Sequence, residues 1–85
     1  MFIFDDSDYE LIAKIAKGDK KAFYNLYNRY KNHVFGLAKR YLNQGALAED
    51  IAQEVWMKVI EKSPDFKPEG SVKSWILMIT RNMCL

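Results

Sequence analysis

The run from Phe23 to Tyr41 constrains the fold of this chain most. Phe23, Leu26, Tyr27, Tyr30, Val34, Leu37, Ala38 and Tyr41 recur at three- and four-residue steps. That spacing lines one face of an α-helix and cannot line one face of a strand. It predicts a helix over Lys20–Leu42, about 35 Å long at a rise of 1.5 Å per residue. A stripe this rich in aromatic and aliphatic side chains is a buried one, to be covered by other elements. Gly36 sits inside the helix at a small cost in propensity, and close helix packing is one reason it could be there.

Punctuation places the remaining helices. Ser7 with Glu10 forms a capping box, so a first helix starts there. Leu11, Ile12, Ile15 and Ala16 make its inward stripe, and Gly18 ends it. Asp19 caps the second helix, and Asn43-Gln44-Gly45 stops it. A third helix is expected near Leu47 to Lys62. Leu47, Ile51, Val55 and Val59 lie at four-residue steps, with Ala48, Ala52 and Ile60 beside them. Pro64, Pro68 and Gly70 forbid regular helix across 64–70. Ser71 caps a fourth helix that turns Val72, Trp75, Ile76, Ile79 and Met83 inward. No strand pattern competes. The expected fold is all-α, a small bundle of about four helices in a single domain across 1–85. No stop signal follows Met83-Cys84-Leu85, so the sequence reads as one domain of a longer protein.

Composition excludes several classes. With one cysteine, Cys84, no internal disulfide can form, which fits a reducing cytoplasm. Cys84 reads as an apolar helix residue. One histidine and no cysteine pair leave no metal-ligand set, and no cofactor motif is present. Met1-Phe2-Ile3-Phe4 is too short and too soon acidic for a signal peptide. No apolar run approaches the ~18 residues of a membrane span. The expected location is cytoplasmic, with no membrane partner. The formal net charge of +2 does not mark a nucleic-acid binder, so any such site must arise from local clustering.

Two clusters carry chemistry. Asp50, Gln53 and Glu54 lie at i, i+3 and i+4 of the third helix and share a face, while Ile51, Val55 and Val59 point elsewhere. Trp56 and Ile60 flank that face. A large aromatic beside charges suits a protein-binding hot spot. The same residues also describe an ordinary solvated face, with Trp56 tucked into the core. Glu49 and Glu54 are close enough to Lys58 for surface pairs. Asp50 and Glu54, one turn apart, could do acid–base work. No nucleophile, metal ligand or phosphate loop accompanies them, so no residue is assigned as catalytic.

The second cluster is the Pro-broken loop and the helix after it. Phe66-Lys67-Pro68 sets an aromatic ring beside a cation, and Lys73, Arg81 and Asn82 follow. Stacking flanked by positive charge holds single-stranded nucleic acid, and the Asn82 amide could read a base edge. Ile79 and Asn82, three apart, could line one pocket with Phe66. The competing reading makes Phe66 a plug at the bundle end, with Lys73 and Arg81 solubilising. The second helix adds Arg29, Lys31, Lys39 and Arg40, and Arg40 beside Tyr41 could meet phosphate. His33 reads as a surface or partly buried helix residue.

Taken in order, these segments resemble region 2 of bacterial RNA polymerase sigma factors of the extracytoplasmic-function group. Gly-Asp-Lys-Lys-Ala-Phe-Tyr-Asn-Leu-Tyr-Asn-Arg-Tyr, then Leu-Ala-Lys-Arg-Tyr-Leu, resembles the family's opening helix. Ala-Glu-Asp-Ile-Ala-Gln-Glu-Val-Trp (48–56) resembles its polymerase-gripping segment. Phe66 and Ser71 to Asn82 resemble its promoter-reading segment. The likeness runs from about Asp8 onward. It implies that Asp50, Gln53 and Glu54, flanked by Trp56 and Ile60, bind the clamp coiled coil of the polymerase's largest subunit. It implies that Phe66, Ile79 and Asn82 take a flipped base from the non-template strand of the promoter −10 element. The Pro64–Gly70 loop would set which base is preferred, Trp75 would be core, and an anti-sigma factor would be a further partner. Pro68-Glu69-Gly70 gives the loop its own sequence, so the family's base preference does not carry over.

Overall fold

The computed structural model describes residues 6–85; the Met1–Phe4 segment weighed as a signal peptide lies outside them. The chain forms four α-helices: α1 (Asp8–Ala16), α2 (Lys20–Leu42), α3 (Gly45–Lys62) and α4 (Val72–Cys84). A 3-10 turn over Ser63–Asp65 follows α3, and no strand occurs among the described residues. The all-α expectation therefore holds.

Each helix boundary has a local cause. Ser7 Oγ accepts the Glu10 N–H at 3.2 Å, and the Glu10 carboxylate accepts the Ser7 N–H at 3.1 Å. This is the reciprocal capping box that the sequence predicts. Gly18 adopts φ +90°, a conformation glycine takes without strain. Asp19 accepts the Ala22 N–H at 3.1 Å and opens α2. Asn43 closes α2 at φ 56°, in the left-handed region. α3 begins at Gly45, two residues before the predicted Leu47, and Gln44 gives it no side-chain cap. Ser71 Oγ accepts the Ser74 N–H at 2.9 Å and opens α4.

One core joins all four helices. α1 contributes Leu11, Ile12 and Ile15, α2 contributes Leu26 and Val34, α3 contributes Val55, Trp56 and Val59, and α4 contributes Val72 and Ile76. Each fully buried aliphatic side chain is worth about 1.5–3 kcal/mol of transfer free energy. Thr80 is also fully buried, and its hydroxyl donates to the Ile76 carbonyl at 2.9 Å.

Four expectations about burial are corrected. Ala16, Tyr41 and Leu47 are exposed. Ala16 is the last residue of α1, while Tyr41 and Leu47 flank the α2–α3 turn, so fewer neighbours reach them. Trp75 is half-buried, packed against the core rather than in it. Gly36 does not mark close helix packing, because a Cβ added there would meet nothing within 4 Å.

α1 is tied to α2 by a polar network. Arg29 Nη1 donates to Asp8 Oδ1 at 2.7 Å and to the Asp6 carbonyl at 3.0 Å. The Tyr30 hydroxyl donates to the second Asp8 oxygen. Burial first, and the Asp8 carboxylate second, push the Tyr30 hydroxyl up to about 12. Arg29 is thus committed to α1 and is not a free cation for phosphate.

Candidate protein and nucleic-acid interfaces

Between α2 and α3 lies an open groove of about 740 Å³. Phe23, Tyr24, Tyr27, Lys31 and Phe35 line it from α2, and Glu49, Gln53, Trp56, Met57 and Ile60 line it from α3. The α3 positions recur at i, i+4, i+7, i+8 and i+11, so they form one helical face. Its rim is unusually apolar for a surface. Met57 is 70% exposed, Tyr24 64% and Ile60 46%. An exposed apolar strip edged by charge marks a protein-binding surface.

Trp56 is not a projecting hot spot. It is 4% exposed and forms the groove floor. Its ring meets Phe23 edge-on at 6.0 Å and Tyr27 at 5.3 Å. The cause is the adjacent inward position Val55: the two aromatics of α2 cover the face one step further around α3. Its indole N–H makes no hydrogen bond among the described residues.

The acid-amide face forms as predicted. Asp50, Gln53 and Glu54 are exposed. Gln53 lines the groove, while Asp50 and Glu54 stand outside its lining. Met57, three and four residues beyond Glu54 and Gln53, completes that surface, and sequence reasoning passed over it. Its signal was available: a long apolar side chain at i+7 from Asp50, off the inward stripe. Lys58 pairs with Glu61 at 3.2 Å and not with Glu49 or Glu54.

At the other candidate interface, Phe66 is half-buried. Its ring lies 5.2 Å from Trp75 and 6.0 Å from Tyr9. Trp75, Ile79 and Asn82 follow at i, i+4 and i+7 on α4 and share a face. Phe66 therefore stands at the N-terminal end of this row, with Asn82 about 10 Å further along the helix from Trp75 at 1.5 Å per residue. Ile79 and Asn82 thus share the α4 face whose N-terminal end packs against Phe66 through Trp75. Lys67, Lys73, Arg81 and Asn82 are exposed. Tyr9, which sequence reasoning did not assign, also reaches this loop: its hydroxyl donates to the Gly70 carbonyl at 2.8 Å.

Arg40 is exposed and, with Leu37 and Tyr41, lines a separate hollow of about 310 Å³ near the end of α2. Lys31 lies 5.8 Å from the Tyr27 ring centre, a cation–π contact. His33 is exposed, its ring 5.6 Å from that of Tyr30. No helix among the described residues is long and apolar enough to cross a membrane.

Comparison with known proteins adds family and fold. The sigma-70 region 2 family model matches residues 26–85. Over 76 residues the chain is 34% identical to the ECF RNA polymerase sigma-E factor of Haemophilus influenzae, covering 89% of this chain and 40% of that protein. It is 29% identical over 77 residues to the RNA polymerase sigma-H factor of Pseudomonas aeruginosa, covering 91% and 40%. The chain thus spans about 40% of the length of these curated relatives. Among solved structures, an engineered region 2 of sigmaE in complex with GTAAAA matches with a TM-score of 0.85 and 29% identity, covering 98% of this chain and 86% of that one. CnrH in complex with the cytosolic domain of CnrY shares the fold, with a TM-score of 0.83 and 24% identity, covering 93% and 51%.

Proposed function

The chain belongs to the sigma-70 region 2 family, and from that premise we propose that residues 1–85 form the region 2 domain of an alternative sigma factor. In this reading the domain binds core RNA polymerase and captures the promoter −10 element as a melted single strand. It works in the cytoplasm by binding, not as an enzyme. One observation carries the proposal: 98% of the chain superposes on a region 2 of sigmaE solved with the single strand GTAAAA.

The polymerase interface is the α3 surface. The clamp coiled coil of the largest subunit lays one helix along the groove, a recurring mode of helix recognition. Met57, Ile60 and Tyr24 supply apolar contact, Trp56 stiffens the floor, and Asp50, Gln53 and Glu54 form the polar rim that fixes register. The same apolar strip suits a helical anti-sigma factor, which would then compete with polymerase.

The DNA interface is the loop and the row on α4, where Trp75 and Ile79 are half-buried and Asn82 is exposed. A base leaving the stack costs a few kcal/mol. Phe66 offers its ring edge, Ile79 an apolar wall and Asn82 an amide for the base edge. Lys67, Lys73, Arg81 and Arg40 attract the backbone and position it. The packing of Phe66 between Tyr9 and Trp75 favours a second reading: a helical protein-interaction module in which the loop only closes the bundle.

Binding to purified core RNA polymerase and to single-stranded hexamers separates the two. The sigma reading expects polymerase affinity that falls at least ten-fold in Gln53→Ala, together with base-selective hexamer binding. Polymerase binding without any hexamer affinity supports the interaction module. Binding to neither overturns both.

A further inference from the structure

The first turn of α1 is fastened on two sides. On one side Asp8 holds Arg29 and Tyr30 of α2. On the other, its chain neighbour Tyr9 reaches the loop between α3 and α4. The Tyr9 hydroxyl donates to the Gly70 carbonyl at 2.8 Å, and its ring lies 6.0 Å from that of Phe66. Phe66 and Gly70 bracket Lys67, Pro68 and Glu69, so one side chain holds both ends of this span. Within the span, the Glu69 N–H donates to the Lys67 carbonyl at 2.7 Å. A loop that is ordered only when its ligand arrives loses affinity to that ordering, and a loop ordered beforehand does not.

We propose that Tyr9 is a positioning residue for base selection. It clasps Phe66 and Gly70 so that the 66–70 segment meets an unpaired base already shaped, and Asp8 anchors the clasp to α2. The proposal rests on the reading of this loop as the base-selecting segment. It assigns a role in base selection to α1, which lies wholly outside the stretch matched by the family model.

Tyr9→Phe is the decisive variant. It keeps the ring against Phe66 and removes only the donor, and the exposed Gly70 carbonyl can then accept from water. The chain is titrated with single-stranded hexamers varied base by base. Core polymerase affinity, melting temperature and amide exchange across 66–70 are followed in parallel. Tyr9→Phe is expected to speed exchange of the Phe66 and Glu69 amides, which donate to the Ser63 and Lys67 carbonyls, and to narrow the preference among bases. It should weaken the preferred hexamer roughly three- to ten-fold, the worth of one net hydrogen bond. Melting temperature and polymerase affinity should stay at wild-type values.

Wild-type hexamer affinity and base preference in Tyr9→Phe overturn the role of Tyr9. An equal loss in hexamer binding, polymerase binding and melting temperature also overturns it, because that pattern is general destabilisation. A wild-type chain with no base preference overturns the reading of the loop itself, and that failure is visible before any variant is made.

Discussion

Phe66 meets Trp75 edge to face, with ring centroids 5.2 Å apart and planes at 70°. This geometry is the favourable one for two aromatic quadrupoles and is worth about 0.5–1.5 kcal/mol beyond area burial. The ring closes the end of the bundle, and under the proposed base capture it would carry a second duty.

Phe66→Ala should therefore cost both stability and binding. A half-buried ring with two aromatic neighbours should lose about 1–2 kcal/mol on truncation, below the ~3–5 kcal/mol of a fully buried one. Asn82 is exposed, so Asn82→Ala should leave the urea midpoint within about 0.5 kcal/mol of wild type while removing base selectivity. Urea melts of the two variants check this, and a Phe66→Ala midpoint equal to wild type contradicts the closing role.

Trp56 and Met57 are neighbours in sequence with opposite assignments. Trp56→Ala removes a core indole and should cost about 3–5 kcal/mol. Met57→Ala should be neutral to stability within about 0.5 kcal/mol yet weaken polymerase binding. Thermal melts paired with polymerase titrations separate the two effects. Equal polymerase affinity in Met57→Ala contradicts the groove as the docking surface.

Gly36 is exposed in mid-helix with open space around it. Gly36→Ala should stabilise the chain by about 0.5–1 kcal/mol, mainly by restricting the unfolded backbone. A loss of stability would show a contact that the open surroundings of Gly36 do not contain.

Tyr30 gives a pH dependence of definite sign. The unfolded phenol titrates near 10.0 and the folded one at about 12, so the folded state holds this proton more tightly. The contribution of Tyr30 is complete below pH 10.0, and it is lost as pH rises from there through about 12. Asp8, Arg29 and His33 face the ring. Urea midpoints should fall more steeply across this window for wild type than for Tyr30→Phe. Lysines titrate in both proteins, so the difference isolates Tyr30, and parallel curves contradict the linkage.

The helices were legible because their ends are written locally. Ser7 and Glu10, Asp19, Asn43 and Ser71 each act within four residues of where they stand. What covers a helix face is not local. Periodicity puts Trp56 beside the inward stripe of α3, but only Phe23 and Tyr27 on α2 decide that it is covered. Arg29 looks like a free cation until Asp8 arrives from α1. Leu47 and Tyr41 fit the inward pattern, yet the turn between α2 and α3 leaves them exposed. The acid-amide face was legible because its three members lie within five residues of one helix. The contacts of Phe66 were not, since Tyr9 lies 57 positions away in the chain.

The most direct test of the account is a binding panel of single-stranded hexamers, each position varied in turn, at two salt concentrations. The account predicts one preferred sequence, bound at least ten-fold more tightly than its single-base variants, with the preference erased in Asn82→Ala. Phosphate contacts alone would weaken all hexamers equally as salt rises. Uniform, salt-driven binding with no base preference, by a folded chain, would contradict it.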